Sequence, residues 1–194
     1  MRLPDLSWPR STARLTIAPA QPSDAAAAWR WHRRPEMNSW MPRLVGDETS
    51  FTEHFVSTVD RTLIATMDGQ VVGLAKVAVE DAWAQEEVGP QAVDQQAEIG
   101  WALDSELHGR GLGGELAAEL LSICFDGLGL HRVVAVCFSD NTASWRVMEK
   151  IGMRREAHFR ADSLHRERGW SDSYLYALLE DEWRQLRSAQ SEPA

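Results

Sequence analysis

The stretch "ELHGRGLGGELAAELL", residues 106–121, decides how this chain of 194 residues is read. Gly109, Gly111, Gly113 and Gly114 crowd around Arg110, and the apolar residues after them, Leu116, Leu120 and Ile123, recur at helical spacing. A helix N-terminus carries unpaired N–H groups and a partial positive charge. Glycines placed ahead of it let the backbone approach an anion and turn those N–H groups toward it. The residues before the stretch, "AEIGWAL" (97–103), read as a strand. Strand, glycine turn and helix in succession make a phosphate cradle. The same glycines also suit a plain tight turn, and spacing alone leaves both readings open. The Walker pattern is excluded, because "GGEL" lacks Lys-Ser/Thr at the helix start. Gly109, Gly111 and Gly114 do match G-x-G-x-x-G, but no acidic residue ends a strand at the dinucleotide spacing, and Asp140 arrives late.

Working outward, "ARLTIAPA" (13–20) places Leu15 and Ile17 on one face of a first strand. Ser23 or Asp24 can cap a helix that starts at the alanines, and Pro35 and Pro42 break the segment beyond it. Phe51, Phe55 and Val59 predict a helix within residues 47–61. "RTLIATM" and "QVVGLAKVAVE" flank Asp68-Gly69, a preferred two-residue hairpin turn. Residues 81–96 read as a long polar loop. "HRVVAVCF" (131–138) is nearly continuous in apolar residues, as in a strand buried on both faces. Asn141 can cap a helix with Trp145, Met148 and Ile151 on one face and Gly152 at its end. Two strands, 154–164 and 171–179, then surround the turn "RERGW". The order of elements predicts an α/β fold with a mixed sheet. Residues 1–12 are expected to be a flexible lead-in, 13–183 a single domain, and 184–194 a flexible tail.

The net charge of −9 disfavours a general nucleic-acid binder, which needs a basic face. No apolar run is long enough to span a membrane and no signal peptide is legible, so a cytoplasmic location is expected. Cys124 and Cys137 sit among apolar neighbours and read as reduced core thiols. The histidines and cysteines show no metal-ligand spacing, so no metal is expected.

Taken with "EIGWALDSELHGRGLGGE", the segments 125–157 and "GWSDSYLYALLEDEW" bring the chain close to a known pattern. It resembles the GNAT superfamily of acetyl-CoA-dependent N-acetyltransferases, and within it the RimJ/RimL-type branch that acetylates protein N-termini and related amines. The resemblance runs from about residue 13 to 183 and is strongest over 97–156. It implies a mixed, mostly antiparallel central sheet flanked by helices. The pyrophosphate signature Gln/Arg-x-x-Gly-x-Gly/Ala falls on His108, Gly109, Arg110, Gly111, Leu112 and Gly113, with Gly114 beside it. His stands where the pattern has Gln or Arg, at a position that mostly offers backbone. The branch's Asn-x-x-Ser falls on Asn141 and Ser144, followed by the fitting "EKIGM".

The resemblance implies direct transfer from acetyl-CoA to a primary amine, and chemistry sets what residues must do. The amine must lose a proton to attack, since an α-amine has a pKa of about 8 and a lysine about 10.4. The thioester oxygen gains charge and needs a donor, expected from the backbone of Ile99, Trp101 or Leu103. The departing thiolate needs a proton. Glu98 is the candidate base, acting through a water; its alternative is a plain cross-strand or solvated carboxylate. Ser144 is the candidate proton donor, its alternative an ordinary first-turn serine. Asn141 is expected to cap the helix and face the pantetheine arm. Among nine tryptophans, Trp31 and Trp40 fall where the acceptor cleft of such enzymes lies, and an aromatic wall there would hold an ammonium by cation–π contact. Arg33 and Arg34 read as solvated surface near that wall, and Arg146 and Lys150 as surface charges or contacts to the 3′-phosphate. The acceptor is expected to be a peptide N-terminus, with a small amine as the alternative, and a non-catalytic acyl-CoA-binding module as the reading from another class. A monomer and a homodimer both remain open.

Overall fold

The computed structural model describes residues 3–44 and 46–191. Eight strands form one sheet in the order β1-β2-β3-β4-β5-β6-β8-β7. These are β1 (Arg10–Ser11), β2 (Thr16–Pro19), β3 (Thr62–Met67), β4 (Gln70–Glu80), β5 (Gln96–Leu103), β6 (Arg132–Phe138), β7 (Arg154–His165) and β8 (Gly169–Leu179). Among the described residues, five α-helices accompany them: α1 (Ala25–His32), α2 (Glu48–Val56), α3 (Leu112–Ser122), α4 (Thr142–Lys150) and α5 (Glu180–Ser191). β5 and β6 run parallel, whereas β1–β2, β2–β3, β3–β4, β6–β8 and β7–β8 pair antiparallel. The expected mixed, mostly antiparallel α/β sheet is therefore present. The contacts divide the chain into two compact units, one of residues up to Val77 with Gly100–Leu120, the other of Ala78–Ile99 with the residues from Leu121 onward.

In the first unit, Leu15 and Ile17 are buried on one face, as their alternation predicted. β1 pairs with β2 through Arg10↔Ile17 and Ser11↔Thr16, and a short turn forms at Leu3–Asp5. The lead-in predicted as flexible over 1–12 is thus structured from Leu3, and its first two residues lie outside the described ones. A 3-10 turn at Pro22–Asp24 precedes α1; the Asp24 carboxylate accepts from the Gln21 N–H rather than capping forward. α2 is capped by Asp47, whose carboxylate accepts from Ser50 N–H at 2.7 Å. Phe51 and Phe55 of α2 pack with Ala25 and Ala28 of α1, and the ring of Trp29 joins Phe51 at 5.5 Å. Asp68 and Gly69 both take positive φ, 51° and 74°, as a type I′ turn demands. Gly73 matters for closeness: a Cβ there would meet Leu103 Cδ2 at 2.6 Å and the Ala102 carbonyl at 3.0 Å.

In the second unit, β6 departs from the sequence reading. Val133, Ala135 and Cys137 are buried, but Val136 is 48% exposed, so the strand is covered on one face only. The apolar run misled because valine and phenylalanine suit a pleated strand whether or not their face is covered. Residues 81–96 hold a 3-10 turn at Glu86–Gln91, and the segment closes on itself through Ala82 N–H to Ala92 O and Asp94 N–H to Asp81 Oδ1. After Ser122 the helix widens into a π turn over Ile123–Gly127, and Gly129, at φ 70°, ends it.

The predicted tail from residue 184 is instead the body of α5, described to Ser191. Trp183 anchors it: the ring is 7% exposed, stacks on Phe125 at 5.8 Å and donates from Nε1 to Asp126 Oδ1 at 2.8 Å. Polar composition hid a helix held by one aromatic residue and by ion pairs such as Arg154–Glu182. Gly152 ends α4 at φ 92°, and a Cβ there would run into the Leu186 Cδ1 methyl of α5. The Leu186 tip can move, so the main cost of Gly152→Ala is the left-handed backbone, about 1–2 kcal/mol. Gly152→Ala is expected to lower Tm by about 3–6 °C in a thermal melt; an unchanged Tm would contradict a left-handed backbone at this position.

Candidate active site

In the first unit, β5 ends at Leu103 and the chain turns sharply. Asp104 accepts from Glu106 N–H at 3.1 Å, and the Leu107 N–H returns to Asp104 O. The His108 ring bonds through Nε2 to the Leu103 carbonyl at 3.0 Å, closing the turn. His108 therefore fills its motif position with a side chain committed to the turn and a backbone in extended geometry, ψ 155°. Gly109 and Gly111 come next at φ 77° and 79°, with Arg110 between them outside the left-handed region. Alternating handedness of this kind turns successive N–H groups to one side, a concavity suited to an anion. Residues 108–111 are exposed, and Leu112 starts α3 with its side chain buried. Among the described residues, no backbone bond is donated by the amides of 109–114; the first across the junction is Glu115 N–H to Gly111 O at 3.2 Å. The glycines thus make the tight strand-to-helix turn, and the geometry is the one the cradle reading requires.

Within β5 the side chains of Ile99 and Leu103 are buried, at 2% and 6% exposure, so they can reach a ligand only through their backbone. The same holds for Leu112, while Trp101 is half-buried. Glu98 lies in the second unit, half-buried, opposite Val134 in the parallel β5–β6 pair. In that unit Asn141 caps α4: its Oδ1 accepts from Ser144 N–H at 3.1 Å, which leaves its NH2 group to donate elsewhere. The Ser144 side chain is half-buried, and its hydroxyl lies close enough to the Cys137 thiol to oppose the rise of that thiol's pKa. Burial pushes the Cys137 thiol up to about 11, against that influence, and the Cys124 thiol up to about 12. Both cysteines are free and buried, and neither is a ready thiolate near neutral pH.

Trp31 departs from its predicted role. It is 2% exposed, so its ring cannot present an open face to an ammonium ion. Periodicity did not reveal this, because α1 is short and tryptophan is as common in a core as at a cleft. The Trp31 Nε1 and His32 Nδ1 atoms are buried without a hydrogen-bond partner among the described residues, and desolvation holds His32 below its ordinary pKa. Trp40 is half-buried. Arg34 is not solvated surface: it pairs with Asp104 and, at 3.0 Å, with Glu106. Arg146 lies over the Trp145 ring at 5.5 Å.

Sequence reasoning missed Thr12 and Arg14, both bonded to Glu115 in the first turn of α3. The signal was Glu115 itself, a partly buried acidic residue in the first turn of α3 that calls for a counter-charge. Among the described residues, no cluster of three His, Cys, Asp or Glu is arranged for a metal, and no helix is long and apolar enough to cross a membrane.

The topology, with its glycine turn into α3, is that of solved acetyltransferase structures. The chain belongs to the family described as the acetyltransferase (GNAT) domain, whose profile matches residues 14–154. It is 42% identical over 86 residues to the uncharacterized N-acetyltransferase YnaD of Bacillus subtilis (strain 168), 44% of this chain and 50% of that protein. The match thus spans about half the length of that relative. It is 27% identical over 119 residues to the L-amino acid N-acetyltransferase AaaT of Escherichia coli (strain K12), 61% of this chain and 68% of that protein. The crystal structure of a GNAT-family acetyltransferase from Bacillus anthracis superposes with a TM-score of 0.74 at 28% identity, covering 88% of this chain and 98% of that one.

Proposed function

We propose that this protein transfers the acetyl group of acetyl-CoA to a primary amine, and that the acceptor is the α-amine of a protein N-terminus. The observation that carries the first part is the glycine loop at 109–111 leading into the first turn of α3 at 112–114, a row of amides that donate no backbone bond among the described residues. That donor set fits a pyrophosphate, which offers oxygens and charge but no donors. Residues 13–183 are the acetyltransferase domain in this reading.

When bound, acetyl-CoA supplies an activated thioester. His108, Gly109, Arg110, Gly111, Leu112, Gly113 and Gly114 hold its pyrophosphate, mostly through backbone. The Asn141 NH2 group holds the pantetheine arm. A backbone N–H of β5 stabilises charge on the acyl oxygen. Glu98 takes the proton of the acceptor ammonium through a water, and Ser144 gives a proton at the sulfur. With Trp31 buried, Trp40 is the remaining aromatic candidate for the acceptor side. Glu98→Gln is expected to lower kcat by about 100-fold with little change in the KM for acetyl-CoA; steady-state kinetics with an unchanged kcat would remove Glu98 from the mechanism.

The N-terminal acceptor rests on the RimJ/RimL pattern at Asn141, Ser144 and "EKIGM". A free amino acid is the second reading, favoured by the likeness to an L-amino acid N-acetyltransferase. Both acceptors share an α-amine, which loses its proton at about pH 8, more readily than a lysine side chain. Turnover of a free-N-terminal peptide but not of its lone amino acid separates the two.

A further inference from the structure

The start of α3 carries a contradiction. Glu115 sits in its first turn with its side chain only 14% exposed, four residues after Gly111. A carboxylate there stabilises the helix but repels any phosphate brought to the nest. The chain answers with its N-terminal segment. Thr12 Oγ1 donates to Glu115 Oε1 at 2.5 Å, and Arg14 donates to the same carboxylate from its backbone N–H and from Nε, both at 2.7 Å. The Arg14 Nη2 lies 2.6 Å from Glu115 Oε2. Its Nη1 donates to the Arg110 carbonyl at 2.8 Å, inside the glycine loop. One turn further along α3, Arg10 pairs with Glu119. Burial raises the Glu115 carboxyl, but the hydrogen bonds from Thr12 and Arg14 and the Arg14 charge outweigh it and hold the group below the usual carboxylate range.

We infer that Arg14 is a positioning residue for the phosphate nest. It neutralises Glu115, and by holding the Arg110 carbonyl it fixes the peptide between Gly109 and Gly111, so the loop amides face the ligand. This rests on the reading of 109–114 as the pyrophosphate site. The second left-handed glycine fits the clamp, since a Cβ at Gly111 would come 3.7 Å from Arg14 Nη2, an ordinary contact. The Glu115 arrangement also sets a pH limit. Its folded pKa is depressed, so the clamp is complete above the ordinary carboxylate range and is lost as pH falls through the folded value.

The test is calorimetric binding of coenzyme A, with a thermal melt of each variant and kinetics alongside. Arg14→Gln is expected to raise the Kd for coenzyme A about tenfold and to leave kcat nearly unchanged, because an uncompensated charge now faces the phosphates. Arg14→Gln/Glu115→Gln is expected to recover most of that loss, and Arg14→Lys part of it. A merely structural role would not give this recovery. Arg14→Gln binding within twofold of the parent, or equal weakening in the single and double variants, overturns the inference. Failure of the parent itself to bind coenzyme A overturns the nest reading, and this inference with it.

Discussion

Replacing Gly109 and Gly111 together by alanine is expected to raise the Kd for acetyl-CoA by about 100-fold. Both residues sit at left-handed φ, 77° and 79°. An alanine held there costs about 1–2 kcal/mol per position. The loop avoids that cost by relaxing, and relaxation turns the amides away from the ligand. Each hydrogen bond to a charged group that is lost contributes about 1.5–3 kcal/mol. About 2.7 kcal/mol corresponds to 100-fold in affinity. Among the described residues, a Cβ at Gly109 meets no atom within 4 Å and one at Gly111 meets Arg14 Nη2 at an ordinary 3.7 Å, so the effect is conformational and the fold survives it. Calorimetry with the double variant, alongside a thermal melt, is the check. Normal binding by a folded variant would show that the glycines serve the turn alone.

Ser144→Ala is expected to reduce kcat by about 100-fold while leaving Tm nearly unchanged. The cap of α4 uses the Ser144 backbone N–H, donated to Asn141 Oδ1, and not its hydroxyl. Alanine therefore keeps the cap and removes only the O–H. That hydroxyl also opposes the rise of the Cys137 thiol's pKa, so its loss changes the surroundings of the thiol as well. Cys137→Ala tells the two effects apart. If Ser144 is the proton donor, Cys137→Ala retains most of the activity that Ser144→Ala loses. Equal losses in both variants would instead make the pair a packing contact.

Much of the local structure around the candidate site was legible because its parts are local. The glycine loop, the Asn141 cap and the Asp68-Gly69 turn each depend on residues within a few positions, and each formed as its spacing predicted. Strand alternation at Leu15 and Ile17 was equally direct. The features that escaped depend on partners distant in sequence. Arg14 acquires meaning only from Glu115 and the Arg110 carbonyl, about a hundred residues away. α5 was hidden because its order comes from Trp183 on Phe125 and Asp126, not from an apolar stripe of its own. Trp31 illustrates the opposite failure. Its position along the chain suggested a cleft, and only packing could reveal that it is 2% exposed. The apolar run of β6 likewise gave the strand correctly but not which face stays open at Val136.

The central claim is acetyl transfer to an α-amine, and thiol titration of released CoA tests it most directly. The purified protein is given acetyl-CoA with peptides bearing a free N-terminus and with the same peptides N-terminally blocked but carrying a free lysine. CoA release with the free N-termini, and none above background with the blocked peptides, is the predicted result. Release only from the lysine-bearing blocked peptides, or from none of the acceptors, would contradict it.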